Sequence, residues 1–500
     1  MARAQAWWLA LLLASGVVLR VVPFALDRSL WLDEAKLALN VLDRSPAQLF
    51  QPLDYDQAAP VGFLLLEKAA VRALGESERA LRLVPLLAGL ASLGLVYAVA
   101  RRWLPPAESL LALALFALAQ PLVYYASEAK QYSTDVLAAL ALGWAAGRAL
   151  DARTPAAAWW LAPVGVAAVW LSHPAVFVAA GAALTLILSA HQRRDRRRVT
   201  AFALVAAAWA ASFLAHYVLA VRRADPQGFL AQFWAEGFPP LPPRSLADLL
   251  WPVEGFFGFF TDPAGLRFAG LAAAAFIVGC WRWWRSDRRV LALLLSPAVF
   301  TLLAALLRRY PFPTSGSMDS YPLTGRPILF LVPAALILVA SGIGWVAGAL
   351  DRERRILGGV MAGLLLAQLG LDAVRRPAHA IRLHELRPLI EGMARQAEPG
   401  DVVVLNTRAV PVFRYYLRRP ETRVIAALPV VELPGTNRWD AYEAQLAALP
   451  AGARVWLLYA HHPSWRSQQD EAFVLHVLDR RGQLRRRTRA PGASLHLYSQ

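Results

Sequence analysis

Two adjacent carboxylates, Asp33 and Glu34, follow the first apolar run of this chain, inside the stretch RSLWLDEAKLALNVL of residues 28–42. A carboxylate placed there could act as a general base that removes a proton from an acceptor hydroxyl. The same pair could instead begin a helix, where acidic side chains cap the first turn and complement the positive end of the helix dipole. The sequence leaves both interpretations open.

A further acid, Glu128, lies in the stretch YYASEAKQYS beside Lys130 and Tyr132. These three side chains could bind hydroxyl groups or a phosphate. The alternative is an ordinary solvated loop pair of Glu128 and Lys130, which would contribute little energy.

An arginine, Arg326, follows Tyr321 in the stretch YPLTGRPILFLVP. Its guanidinium could bind phosphate oxygens in bidentate fashion, or it could be an interfacial arginine that extends to water. Arg308 and Arg309 carry the same ambiguity. His173, in a Ser-His-Pro turn, could assist a metal or a phosphate or could be structural.

The elements that must position these residues are predicted to be membrane-spanning helices. Hydrophobic residues make up 57% of the chain and charged residues 17%, against about 25% charged in soluble proteins. Several windows of roughly 17 to 23 residues contain no charge, which is the length of a membrane span. The predicted spans are residues 7–24, 81–100, 108–125, 133–150, 155–171, 175–190, 199–220, 266–281, 290–307, 326–347 and 356–373.

The arginines indicate the orientation of these spans. With eleven spans, all five arginine-rich loops lie on the same side, and such loops are typically cytoplasmic. They are residues 101–102, 148–153, 191–198, 281–289 and 351–355. The formal charge of +17 therefore reflects this bias and predicts no nucleic acid partner. The amino terminus is expected inside, the carboxyl terminus outside, and every candidate site residue outside.

Three further segments complete the predicted organisation. Residues 1–20 are interpreted as part of an uncleaved first span, and 60–79 as an amphipathic helix in the outer interface, with Glu67, Lys68 and Arg72 on its polar face. The chain divides into a transmembrane domain, 1–375, and a small extracytoplasmic α/β domain, 376–500, with a largely parallel sheet. The single cysteine, Cys280, excludes an intramolecular disulfide and sites built on several cysteines.

This ordered set resembles the GT-C superfamily of membrane glycosyltransferases, in the branch of protein O-mannosyltransferases and the aminoarabinose transferase of lipid A. The resemblance covers roughly residues 1–375. It rests on the acidic pair in WLDEAKLALN, the proline-led helix after YDQAAP, the acid Glu128 in the second outer loop, and the late loop YPLTGRPILFLVP.

The resemblance implies transfer of a sugar from a polyprenyl-phosphate carrier, normally with inversion at the anomeric carbon. It implies Asp33 as the base and Glu34 as a residue that orients or holds the acceptor. One departure concerns the Glu-Lys-Pro-Pro sequence of aminoarabinose transferases, because this chain has Gln57-Ala58-Ala59-Pro60 instead. Asp54, Asp56 or Gln57 are the candidates to replace the missing groups. No cofactor is therefore predicted firmly, and a divalent cation stays open.

The leading hypothesis is an inverting glycosyltransferase of the cell inner membrane, with Asp33, Glu128 and Arg326 converging on one outer cavity. Its expected partners are a polyprenyl-phosphate-sugar donor, a lipid, glycan or protein acceptor, and membrane lipids. The alternative is a transporter or flippase of lipid-linked saccharides. A third interpretation is a non-catalytic assembly protein that acts through its carboxyl-terminal domain.

Overall fold

A computed structural model describes residues 2–152, 154, 156–225, 227–313, 324–348, 351–375, 383–435, 438–461 and 465–499. Within these residues the structure is mainly helical, with one sheet near the carboxyl terminus. The helices of the first three-quarters of the chain are α1 (Ala2–Ala25), α2 (Leu32–Asp43), α3 (Val61–Leu74), α4 (Glu78–Trp103), α5 (Pro106–Leu118), α6 (Gln120–Tyr125), α7 (Tyr132–Asp151), α8 (Ala156–Trp159), α9 (Leu161–Leu171), α10 (Ala175–Gln192), α11 (Arg196–Leu219), α12 (Phe229–Phe233), α13 (Leu246–Thr261), α14 (Ala269–Ser286), α15 (Arg288–Leu306), α16 (Val332–Ala347) and α17 (Arg352–Arg375).

Each of the eleven predicted spans overlaps a helix, but two of them are interrupted: 108–125 comprises α5 and α6, and 155–171 comprises α8 and α9. Among the described residues, seven helices are long and apolar enough to cross a membrane, namely α1, α4, α10, α11, α15, α16 and α17. Two shorter apolar helices, α5 and α9, lie at other predicted spans, and α7 and α14, with 20 and 18 residues, occupy the remaining two. The chain is a polytopic membrane protein, as the sequence predicted.

The chain divides into two compact units. In described residues, the first comprises 2–26, 44–313 and 324–375, and the second comprises 27–43 and 383–499. Residues 27–43 therefore pack with the carboxyl-terminal unit, although in sequence they follow the first span directly.

Within the first unit, α3 is the helix predicted to be amphipathic, and its faces differ from the prediction. Glu67 is only 1% exposed and lies on the packed side with Val61, Phe63 and Val71, whereas Leu66 is 44% exposed. The prediction that Glu67 belongs to a solvated polar face is therefore wrong. Hydropathy alone located the helix but could not show which side packs against protein.

Close approach of α14 and α16 fixes the helix that follows the Arg326 turn. A Cβ on Gly279 would lie 2.0 Å from the carbonyl oxygen of Leu338, and one on Gly342 would lie 1.9 Å from that of Ala275. Small residues let helix backbones approach in this way inside a membrane. A 3₁₀ helix, Arg326–Leu331, runs directly into α16, so this packing also holds the turn that carries Arg326.

The second unit has a five-stranded sheet of order β2-β1-β3-β5-β4. Its elements are α18 (Arg387–Ala394), β1 (Val402–Leu405), α19 (Ala409–Tyr416), α20 (Arg423–Ala426), β2 (Val430–Glu432), α21 (Trp439–Ala447), β3 (Arg454–Ala460), α22 (Trp465–Asp479), β4 (Gln483–Ala490) and β5 (Ala493–Ser499). The α/β class is as predicted.

The prediction of a largely parallel sheet is wrong. Strand β1 pairs in parallel with β2 and β3, but β5 is antiparallel to both β3 and β4. A terminal hairpin, turning at Pro491-Gly492, adds these antiparallel strands. Gly492 has φ of +65°, a conformation that favours glycine, and a Pro-Gly pair is typical of turns.

Candidate active site

Lys130 and Glu128 lie in the turn between α6 and α7, inside the first unit. Glu128 is 0% exposed and Lys130 is 4% exposed, and the Lys130 N–H donates to the Glu128 carbonyl at 2.7 Å. The Lys130 ammonium donates to Gln57 Oε1 at 2.5 Å. The alternative of a solvated loop pair is therefore wrong, because both side chains are removed from water. Burying a charged group is unfavourable unless polar partners replace its hydration.

Arg326 lies on a turn that is held from two sides. The carboxylate of Asp262 accepts hydrogen bonds from Thr324 Oγ1 at 3.0 Å and from the Gly325 N–H at 2.9 Å. The Tyr310 hydroxyl donates to the Pro327 carbonyl at 2.7 Å. Gly325 is required here, since a Cβ would lie 2.7 Å from the ring of Pro263.

The Arg326 guanidinium packs against two aromatic rings. Its carbon lies 5.9 Å from the ring centre of Tyr132 and 5.4 Å from that of Trp234, within the range of cation–π attraction. Arg326 is 8% exposed, so it is enclosed by protein. This placement argues against an arginine that extends to water.

Glu128, Tyr132 and Arg326 share one neighbour, Tyr125. Its ring lies 4.8 Å from that of Tyr132, edge to face, and Glu128 and Arg326 both act on its phenol electrostatically. The structure thus brings together five of the predicted site residues in the first unit: Gln57, Glu128, Lys130, Tyr132 and Arg326. A buried cluster of both charges and tyrosines is suited to binding a polar, anionic ligand.

His173 lines a small pocket of about 20 Å³ together with Gln57. Its ring stacks on His216 at 5.5 Å, and His216 in turn lies 4.9 Å from Trp170. Burial, with the charge of His216, lowers the pKa of His173 to about 3. The imidazole is therefore neutral at physiological pH and adds no positive charge for a phosphate.

Asp33 and Glu34 form the first turn of α2, in the second unit. The Trp31 N–H donates to Glu34 Oε2 at 3.4 Å, so Glu34 contributes to the helix cap that the sequence left open. Glu34 is 0% exposed, whereas Asp33 is half-buried. Of the two carboxylates, Asp33 is the one that an acceptor could reach.

Three other predicted residues lie apart from the cluster or outside the structure. Arg308 and Arg309 are exposed, and Arg308 lies 6.0 Å from the ring of Phe238. Tyr321 lies outside the described residues. Among those described, no group of three or more His, Cys, Asp or Glu side chains is placed to hold a metal ion.

The sequence interpretation missed four residues that the fold adds. Asp262 and Tyr310 hold the Arg326 turn, Trp234 stacks on its guanidinium, and Asp135 acts electrostatically on Tyr310. Burial raises the pKa of the Tyr310 phenol, which keeps it a hydrogen-bond donor. Of these four residues, only Asp135 could have been noticed in the sequence, because it is an acid in the first turn of an apolar helix.

An apolar cavity of about 280 Å³ opens among α13, α14, α15 and α16. Aromatic and aliphatic side chains line it, including Trp251, Phe256, Phe276 and Leu331. Leu331 ends the 3₁₀ helix that begins at Arg326, and five residues of such a helix span about 10 Å. A cationic group and an apolar cavity thus lie at opposite ends of one short helix.

This architecture is shared with solved membrane enzymes. ArnT from Cupriavidus metallidurans in the apo state aligns with a TM-score of 0.53 and 16% identity over 99% of this chain and 98% of that one. The same enzyme bound to undecaprenyl phosphate aligns with a TM-score of 0.52 and 15% identity, over 98% and 97%. The archaeal oligosaccharyltransferase AglB from Archaeoglobus fulgidus, in complex with an inhibitory peptide and a dolichol-phosphate, gives 0.51 and 10%, over 99% and 74%.

The chain therefore shares its fold with these solved membrane proteins, and this fold, together with a family match, confirms the predicted resemblance. Residues 57–219 match the family described as dolichyl-phosphate-mannose-protein mannosyltransferase. This match confirms the predicted enzyme class, a glycosyltransferase. A comparison with curated protein sequences gives no match.

Proposed function

We propose that this protein transfers a sugar from a polyprenyl-phosphate carrier to a hydroxyl acceptor, with inversion, on the outer face of the cell inner membrane. The observation that carries the proposal is the pairing of Arg326 with the apolar cavity that starts about 10 Å along the same 3₁₀ helix. A lipid phosphate needs both a cation for its head and an apolar groove for its chain.

The proposed donor site belongs to the first unit. Arg326 binds the lipid phosphate through its guanidinium fork, and Lys130, oriented by Gln57, adds a second positive charge. Glu128, Tyr132 and Tyr125 supply hydrogen-bonding groups for the sugar. The solved relatives bound to undecaprenyl phosphate and to dolichol-phosphate support a lipid phosphate as the ligand.

The proposed reaction is a single displacement. The Asp33 carboxylate takes the proton of the acceptor hydroxyl as its oxygen attacks the anomeric carbon. The bond between that carbon and the phosphate oxygen breaks, and its electron pair leaves with the lipid phosphate. Positive charge at Arg326 and Lys130 stabilises the charge that develops on this leaving group.

The distribution of arginine residues supports the side of the membrane proposed for the site. The arginine-rich loops at 191–198 and 281–289 are the proposed cytoplasmic ends. The turns that carry Lys130 and Arg326 lie at the opposite ends of their spans in sequence, so the proposed site and the carboxyl-terminal unit are extracytoplasmic.

The decisive experiment compares wild type with Asp33→Asn in lipid nanodiscs that contain a panel of polyprenyl-phosphate sugars. The matched control is Asp440→Asn, because Asp440 is also an acid in the first turn of a helix of the second unit. We expect wild type and the control to consume one donor equally, and Asp33→Asn to lose activity. Equal turnover by all three proteins would refute Asp33 as the base, and no turnover by wild type with any donor would refute the proposed donor class.

A further inference from the structure

The segment that carries Asp33 is bound by the carboxyl-terminal part of its own unit. The Ser29 hydroxyl donates to Glu385 Oε2 at 2.8 Å, and the Leu30 N–H donates to the Tyr416 hydroxyl at 2.9 Å. The Arg387 guanidinium pairs with the Asp27 carboxylate at 3.1 Å. Every one of these contacts joins residues more than 350 positions apart in the chain.

One contact reaches the first turn of α2 itself. The Leu32 N–H donates to His384 Nδ1 at 3.5 Å, while His384 Nε2 lies 2.8 Å from the carbonyl oxygen of His461. That carbonyl can only accept a hydrogen bond, so Nε2 carries the proton and Nδ1 presents its lone pair to Leu32. The imidazole thus contacts the N–H of Leu32, the residue immediately before Asp33.

This bond adds to the cap of α2. The first N–H groups of a helix have no partner within it, and Leu32 is the first residue of α2. A distant histidine accepts from this N–H, while Glu34 accepts from the N–H of Trp31. At the other end of α2, Asp43 pairs with Arg418 at 2.7 Å, so both ends of the helix are held.

We propose that the carboxyl-terminal unit is a positioning device for Asp33, and that His384 and Tyr416 are its principal positioning residues. This inference rests on the proposed function, because it presumes that Asp33 is the base. It assigns the unit a role in the chemical step and none in donor binding. A misplacement of a catalytic group by about 1 Å costs roughly 100-fold in rate, so loosening α2 should reduce kcat.

The test uses the full chain in nanodiscs with two variants, His384→Leu and Tyr416→Phe. The second removes a single hydroxyl and should not prevent folding. Tyr442→Phe is the matched control, because Tyr442 is a buried tyrosine of the same unit whose hydroxyl donates to the Gly435 carbonyl. Hydrogen exchange of peptides from residues 28–43 is measured together with kcat and the KM for the donor.

We expect faster exchange of 28–43 and a kcat lowered roughly 10- to 100-fold in both variants, with donor KM unchanged. His384→Asn should recover part of the loss, since its amide oxygen can accept from Leu32. Unchanged exchange would overturn the docking of α2, and faster exchange with unchanged kcat, or a changed KM alone, would overturn the positioning role. The exchange readout needs no turnover, so a wild type inactive with every donor would refute the proposed function separately.

Discussion

The Lys130 ammonium donates to the Gln57 side-chain oxygen at 2.5 Å, across 73 positions of the chain. Lys130 lies in the turn before α7, and Gln57 lies in the loop before α3. The amide cannot neutralise the ammonium, so it orients the positive charge without cancelling it. Gln57 thus has a defined place beside the charge, at the position where aminoarabinose transferases have an acid.

This contact predicts coupled effects of two substitutions. Gln57→Leu should lower kcat/KM about tenfold, because a hydrogen bond to a charged group contributes about 1.5–3 kcal/mol. In a Lys130→Met background the same substitution should have little further effect, and a double-mutant cycle measures the difference. Gln232→Leu, at an exposed position of α12, is the control. Additive losses in the cycle would contradict the orienting role.

Arg326→Lys should raise the donor KM roughly 10- to 100-fold. Lysine keeps the charge but loses the planar fork that binds phosphate through two parallel hydrogen bonds, and about 1.4 kcal/mol corresponds to tenfold in affinity. Arg285→Lys is the matched control, because Arg285 also stacks on a ring, that of Trp281 at 5.3 Å, at the far end of α14. Steady-state kinetics with varied donor gives the KM, and equal effects of the two substitutions would contradict phosphate binding by Arg326.

Gly342→Ala should destabilise the protein, whereas Gly363→Ala should not. A Cβ on Gly342 would collide with the Ala275 carbonyl, and overpacking of this kind typically costs about 1–3 kcal/mol. Among the described residues, a Cβ on Gly363 in α17 would meet nothing within 4 Å beyond the backbone of its own helix, and alanine also has the better helix propensity there. Thermal unfolding in detergent should separate the two variants. Similar melting temperatures would show that α14 and α16 can separate without cost.

The second unit should lose stability on acidification, through Glu471 in α22. Burial alone would raise the pKa of this carboxyl, but hydrogen bonds from His496 and Ser494, with the nearby His461, lower it to about 2 from 4.5. Because the folded pKa is below the unfolded one, this stabilisation is complete above about pH 4.5 and is lost as the pH falls towards 2. The stabilisation that Glu471 contributes amounts to at most about 3 kcal/mol.

His461 causes a second loss of stability on acidification, which occurs at a higher pH. Burial lowers its pKa, so the unfolded chain binds that proton more readily, and stability falls as the pH drops through about 6.5. Thermal proteolysis, with cleavage products assigned to residues 383–499, should follow both losses. Glu471→Gln should remove the loss below pH 4.5 and keep the one near pH 6.5. An unchanged acid profile in this variant would exclude Glu471 as its source.

Several features of the site could be predicted because they depend on local sequence. The turn at Glu128 and Lys130 and the Thr-Gly-Arg-Pro turn at Arg326 lie at the ends of apolar runs, where hydropathy places polar groups together on one side. The partners of those residues could not be predicted in this way. Trp234 and Asp262 come from the segment between α11 and α14, which includes α12 and α13 and whose contacts depend on how several helices pack.

The sequence by itself determined the polytopic helical character of the chain and the α/β character of the tail, because charge-free runs and alternating strand and helix patterns are properties of neighbouring residues. Only the tertiary structure decided that Glu67 faces protein, that Lys130 meets Gln57, and that α2 with Asp33 is held by His384 and Tyr416. These outcomes depend on burial and on hydrogen bonds between residues from 73 to more than 350 positions apart. Such pairs form because packed helices and a folded unit bring the residues within about 3 Å of each other. The pattern of neighbouring residues in the sequence does not predict these contacts.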